Sequence, residues 1–267
     1  MNLPMAPTPT LEAAAGVQEH LSPAEILSLT EEVRGLAEQL AAWRAQYPDG
    51  VVVMYVNTTA EVKALTDYCC TSSNAVAVVR HIYATHGEDT EILFGPDMFL
   101  GAYVERTLGR SLHVWDGECH VHAGIKPHDI AAVRSEHPDA EFLIHPECGC
   151  STSVMEYVAA GDVAADGVRM LSTGGMLGYA QQLGRESRGS RRTAIVATET
   201  GMLHPLRLAA PDVDFVAANE AASCRFMKMI TLPKLRDALR DGVHEVKVSP
   251  EIAERARLPI ERMVAIG

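Results

Sequence analysis

The chain lacks a basic block, a long apolar run and a cysteine framework, and each absence excludes a class of function. Lys and Arg total 23 against 35 Asp and Glu in 267 residues, a formal charge of −12. Such a surface matches neither a nucleic-acid backbone nor an anionic membrane. No apolar stretch approaches the roughly 18 residues of a membrane span. The Pro- and Ala-rich first residues lack the basic and apolar regions of a secretory signal. Six cysteines in a chain of this size make no disulfide framework. The expected setting is therefore the reducing cytoplasm, with the cysteines serving as core thiols or metal ligands. A hydrophobic content of 47% suffices for a sizeable core divided between two domains.

What is present is a module told twice. Residues 51–56 are a β-branched apolar run, read as a buried strand that ends on Tyr55 and Asn57. Thr58 with Glu61 reads as a capping box. Thr71-Ser72-Ser73-Asn74 opens a second helix, residues 91–94 form a strand ending in Gly95-Pro96-Asp97, and a helix carrying Leu100, Tyr103 and Val104 follows. A third short strand at 112–115 leads to Cys119 and His122, and a helix over 127–136 closes the copy. The pattern then restarts. Residues 141–145 form a strand ending in His145-Pro146-Glu147, with a helix from 151 to 160. Residues 168–171 deliver Ser172 and Thr173, 193–197 deliver Thr198 and Glu199, and 213–217 precede Cys224. Upstream, Ser22-Pro23-Ala24-Glu25 caps a helical pattern over 22–43, and two further helices start at Thr231 and Ser249. The expected architecture is α/β: repeated small α/β domains with parallel sheets, divided as 1–48 (a disordered start and a helical remnant), 49–127, and 128–267.

Ligands of open α/β sheets gather at the carboxyl ends of the strands. Helix starts with free N–H groups suit phosphate or carboxylate, which draws attention to Ser72, Ser172 and Thr173. His145 and Glu147 at a strand end form an acid–base pair able to move protons on a substrate. Cys119 and Cys224 hold equivalent places in the two copies, so they are the sharpest metal-ligand candidates, with His122 as a neighbouring ligand or hydrogen-bond donor. Cys148 and Cys150 read as structural, with a metal role left open, and Cys69 and Cys70 as core packing after a helix. Asp97, Asp116, His81, His86 and His137 read as solvated or locally bonded.

Taken together, Tyr55-Val56-Asn57, Thr71 to Asn74, Gly95-Pro96-Asp97 with Leu100, Cys119 with His122, His145 to Cys148, Ser172 to Met176, Ala197-Thr198-Glu199, and Cys224 with Met227-Lys228 and Thr231-Leu232 resemble quinolinate synthase. The similarity runs from about residue 36 to the carboxyl end. It implies condensation of iminoaspartate with dihydroxyacetone phosphate to quinolinate in NAD biosynthesis, with a functional link to L-aspartate oxidase. It implies three α/β domains around a pseudo-threefold axis, and on that axis a 4Fe-4S cluster whose open iron is a Lewis acid. Cys119 and Cys224 would be cluster ligands. Tyr55, Asn57, Ser72, His122, His145, Glu147, Ser172 and Thr173 would line the substrate pocket, with Tyr55, His145 and Glu147 catalytic. The family's first domain, with a His-x-Tyr strand and the third cluster cysteine, has no counterpart in residues 1–50; either the chain starts upstream or a domain has been lost. Two rival readings stand beside this one: an inactive two-domain protein binding a small diacid or phosphate, and a zinc enzyme using Cys119, His122 and Cys224.

Overall fold

The computed structural model describes residues 35, 38–151, 154–155, 158, 167–187 and 192–267. Their frame is two four-stranded sheets with the same strand order and every pairing parallel. One runs β2-β1-β3-β4, with β1 Val51–Tyr55, β2 Tyr68–Cys70, β3 Ile92–Gly95 and β4 His113–Val114. The other runs β6-β5-β7-β8, with β5 Glu141–Ile144, β6 Val168–Met170, β7 Arg192–Ala197 and β8 Val213–Ala217. The expected repeat of small parallel α/β modules is the fold.

Parallel strands need helical crossovers, and those helices bury both sheet faces, so the strands read as continuous apolar runs. In the first module, Val53, Phe94, Leu100, Val104, Val78 and Ile82 share one core with Tyr68 and Tyr83. In the second, Leu143, Met176, Leu183, Leu206 and Phe215 do the same. Local signals set most helix starts. Asp97 caps the Met98–Leu108 helix through the Leu100 N–H, Ser172 caps Thr173–Glu186 through the Gly175 N–H, and Ser249 caps Pro250–Ile266 through the Ile252 N–H. The Met98–Leu108 helix stops at Gly109, whose left-handed φ of 64° suits a residue without a side chain.

Three expectations are corrected. The short helix after β1 spans Ala60–Lys63, and its cap is Thr59, whose hydroxyl accepts from the Val62 N–H; Thr58 lies one residue too early. Cys69 and Cys70 do not follow a helix. They form β2 with Tyr68 and are fully buried beside β1. Cys148 and Cys150 are joined in a disulfide with no exposed surface, so they are neither free thiols nor available ligands. Of the two readings of Asp97, solvated or locally bonded, the second holds: it is 5% exposed and caps the helix that follows it. The expected helix at 22–43 and that at 151–160 lie mainly outside the described residues, though 38–46 is helical.

The last helix, Pro250–Ile266, returns to the first sheet. Arg255 donates to the carbonyl of Ala64 at 2.9 Å and Arg262 to that of Asp67 at 2.8 Å, with the guanidinium of Arg262 over the Tyr68 ring. Residues 224–246 form a separate compact segment. It holds the Arg225–Lys228 helix, capped by Cys224, and the amphipathic Leu232–Asp241 helix, capped by Thr231. No described helix is long and apolar enough to cross a membrane.

Candidate active site

The carboxyl ends of the two sheets supply one cluster of polar side chains. Tyr55 ends β1, Ser72 lies on the turn between β2 and the Ala75–His86 helix, and His122 lies on the short His120–Ala123 helix after β4. His145 and Glu147 follow β5 directly. Across the modules, Ser72 Oγ lies 3.2 Å from His145 Nε2, and His122 Nε2 lies 2.9 Å from Thr198 Oγ1. The Gly149 N–H donates to the His122 carbonyl at 3.0 Å. The His122 and His145 rings stack at 4.6 Å and 6°.

His145 is 3% exposed, and its Nδ1 accepts from the Glu147 N–H at 3.4 Å. That bond puts the ring proton on Nε2, facing Ser72. Burial pushes the imidazole down to about 4, with the Glu147 carboxylate opposing and His122 adding to the fall. His145 is thus neutral at pH 7. His122 is the reverse. Burial alone would lower it, but the Cys119 thiol and the Glu147 carboxylate on either side outweigh burial and push it up to about 9.

Those two partners respond in kind. Burial raises Cys119, but hydrogen bonding and charge from His122 overcome it and hold the thiol below its ordinary value. Burial would raise Glu147 as well, yet His122 first, then His145 and Tyr55, hold it below the usual carboxylate range. Tyr55 is raised well above the ordinary phenol value, by burial first and then by Glu147. The result is an alternating row: a thiol held below its ordinary value at Cys119, an imidazolium at His122, a carboxylate at Glu147, and a protonated phenol at Tyr55. His122 Nδ1 stands 3.4 Å from Glu147 Oε2, a separation that fits an ion pair and no well-formed hydrogen bond. Glu147 Oε1 is buried without a hydrogen-bond partner.

His122, His145 and Glu147 have donor atoms within 4.8 Å of one another, the spacing of a metal site. The ring geometry argues otherwise. A metal lies in the plane of each imidazole that binds it, and two parallel, stacked rings have no common in-plane point at bonding distance. The arrangement suits proton transfer better than chelation.

Of the residues expected at the site, Tyr55, Ser72, Cys119, His122, His145 and Glu147 come together. Ser172 and Thr173 stand at the start of the 14-residue Thr173–Glu186 helix, where Leu171 N bonds the Ile144 carbonyl beside the strand end that carries His145. Asn57 is exposed just past β1. None of these three hydrogen-bonds to the cluster. Cys224 belongs to the separate segment, but its backbone matches that of Cys119 closely: φ −84° and ψ 107° against φ −78° and ψ 113°, each capping a four-residue helix without using its side chain. Thr198 and Asp97 were not singled out from the sequence as site residues. Thr198 carries no local signal beyond lying at a strand end, whereas the cap position of Asp97 in Gly95-Pro96-Asp97 was a signal.

A profile of the quinolinate synthetase A protein family matches residues 28–265. The quinolinate synthase of Mycobacterium sp. (strain KMS) is 55% identical over 232 residues, which cover 86% of this chain and 66% of that protein. The quinolinate synthases of Mycobacterium tuberculosis (strain ATCC 25618 / H37Rv) and Mycolicibacterium paratuberculosis (strain ATCC BAA-968 / K-10) are each 53% identical over 231 residues, covering 86% of this chain and 63% of theirs. The chain therefore spans less than two thirds of the length of these curated relatives.

Proposed function

The chain belongs to the quinolinate synthase family, and on that premise we propose that it carries two modules of the enzyme that condenses iminoaspartate with dihydroxyacetone phosphate to quinolinate, in the cytoplasmic route to NAD. The observation that carries this reading is the buried, unpartnered Oε1 of Glu147, set among groups whose protonation states alternate. An ionised carboxylate oxygen without a hydrogen bond is costly to bury. It fits a site built to take a proton from a substrate.

Of the six cysteines, Cys69 and Cys70 are sealed in β2 and Cys148 and Cys150 are paired, which leaves Cys119 and Cys224, half-buried, outside any disulfide and of matching backbone geometry. Low thiol pKa at Cys119 suits a thiolate ligand. These two fit as ligands of a 4Fe-4S cluster, and the third thiolate of the family's cluster has no counterpart among the described residues. When bound, the cluster supplies an open iron that polarises a substrate oxygen.

The residues of this chain do the rest. Ser172 and Thr173, and Ser72 in the other module, offer hydroxyls and helix-start N–H groups to the phosphate and carboxylates of the substrates. Glu147 Oε1 accepts the proton released at carbon, and Tyr55, kept protonated, donates to the oxygen that leaves as water. Neutral His145 donates from Nε2 through or alongside Ser72, and His122 holds Glu147 ionised. Asn57, exposed just past β1, is assigned to substrate binding with them. The domain limits we assign are 49–127 and 128–267, with the last helix folded back on the first sheet. L-aspartate oxidase would supply the imine.

The test is anaerobic reconstitution of the chain with iron and sulfide, followed by assay of bound sulfide and of quinolinate. Cluster uptake that Cys119→Ala or Cys224→Ala abolishes supports the assignment, and a brown chromophore unchanged in Cys224→Ala sinks it. Zinc without sulfide would favour the zinc reading instead.

A further inference from the structure

We infer that Asp97 is a positioning residue for Cys119: its buried carboxylate clamps the backbone of the cysteine so that the thiol is presented to the cluster. This rests on the cluster reading above and adds a residue to it. Asp97 uses both oxygens. One accepts the Leu100 N–H at 2.7 Å, which is an ordinary helix cap, and the other accepts the Cys119 N–H at 3.2 Å. Capping alone needs no carboxylate, since Thr59, Ser172, Thr231 and Ser249 cap their helices with a hydroxyl. The second oxygen is what a hydroxyl lacks.

The cysteine loop is stitched down along the same edge. Trp115 N donates to the Phe94 carbonyl at 2.8 Å, and Met98 N to the Gly117 carbonyl at 2.7 Å. Gly117 permits this closeness, because a Cβ there would stand 2.5 Å from the Pro96 carbonyl oxygen. From the other side, the Cys119 carbonyl accepts the Ala123 N–H at 2.8 Å. Cys119 is therefore fixed at both backbone groups, while its sulfur is spent on no cap.

The second module repeats the tether. Glu199 holds the place of Asp97, is 8% exposed, and accepts the Gly201 N–H at 2.8 Å. The next residue, Thr200, donates from N to the Ala222 carbonyl at 2.8 Å, two positions before Cys224, as Met98 donates to Gly117 two positions before Cys119. The backbone tether two positions before the cysteine is thus kept in both copies, and in the first the carboxylate adds its own bond to the cysteine N–H.

Asp97→Ser separates the two arms, since serine keeps the cap and is too short for the second bond. Losing a hydrogen bond to a charged group corresponds to about a tenfold effect or more. Hydrogen exchange on the chain without its cluster should then show the Cys119 amide exchanging about tenfold faster, with Leu100 within about threefold of wild type. In the reconstituted chain, bleaching of the cluster by a chelator should quicken by a similar factor. If Asp97→Ser does not fold, Asp97→Asn, which keeps one acceptor oxygen in the same shape, gives the same readouts. Cys119 exchange that is unchanged, or a cluster lost no faster than from wild type, overturns the role of Asp97. A wild-type chain that takes up no iron and sulfide overturns the cluster reading itself, and this role with it.

Discussion

The two modules share a scaffold and differ in chemistry. Strand order, parallel pairing and the backbone tether before each cysteine are the same in both. Their polar ends are not. The first contributes groups that carry or bind protons at neutral pH, Tyr55 and His122; the second contributes the acceptor, Glu147, and the neutral histidine, His145. Neither end is a site alone. Some of the shifts cross the junction, as that of His122 draws on Glu147 after Cys119 and that of Glu147 draws first on His122. Duplication supplied a frame that brings two strand ends together, and divergence at those ends made a gradient of proton affinity across the junction.

The largest test of that division is Glu147→Gln, which keeps the shape and removes the acceptor. If quinolinate formation is the reaction, as proposed above, its rate should fall about a thousandfold, within the range general acid–base groups contribute. Tyr55→Phe, from the first module, should cost less, about tenfold, because substrate oxygen can take a proton from water. Equal losses would break the assignment of acceptor and donor to different modules.

The scaffolds themselves can be compared through one aromatic from each core. Phe94 on β3 and Phe215 on β8 are both essentially unexposed. Replacing either with Ala should cost about 3–5 kcal/mol in urea denaturation. Because Ser72–His145, His122–Thr198 and Gly149–His122 join the modules, each variant should still unfold in a single transition. Two transitions would show that the sheets are stable independently.

A third test uses pH. His145 is held neutral down to about pH 4 instead of its ordinary 6.5. Between those values the unfolded chain binds the proton more readily than the folded one. Stability present above about pH 6.5 is therefore lost as the pH falls towards 4, by up to ~3 kcal/mol. His145→Gln has no such titration. The stability difference between wild type and His145→Gln should shrink by that amount between about pH 7 and pH 4; a difference that does not change with pH would mean the imidazole is not held neutral.

Local features of this fold were legible in the sequence and long-range ones were not. The apolar run at β1 and the caps Ser172, Thr231 and Ser249 are written in neighbouring residues, and they sit where pattern placed them. β2 is three residues long, too short for any period, so Cys69 and Cys70 read only as core packing after a helix. Thr58 and Thr59 are equal capping candidates, and only the chain's path chooses the second. Whether Asp97 is solvated or locally bonded stays open in the sequence because the loop that buries it arrives 20 residues later, at Gly117 to Cys119. The repeat placed His145 and Glu147 at a strand end and His122 on the loop after one; that the two histidines stack and Glu147 stands 3.4 Å from the His122 ring is a fact of tertiary packing.

The smallest test concerns a difference in the edge strands. β2 is buried along its whole length, while β6, its counterpart, is half-exposed throughout. The helix Pro250–Ile266 accounts for the first of these, since it lies against β2 with Ile266 packed on the first core. Arg262 adds a hydrogen bond to the Asp67 carbonyl and a cation–π contact at 5.4 Å to the Tyr68 ring. Exposed contacts of this kind are worth about 0.5–1 kcal/mol. Arg262→Ala should thus lower stability by about 1 kcal/mol, and less than that in a Tyr68→Leu background, where the ring is already gone. An unchanged urea midpoint would assign the covering of β2 to apolar packing alone. The asymmetry between the two edges would then rest on the last turn of the chain and not on the guanidinium.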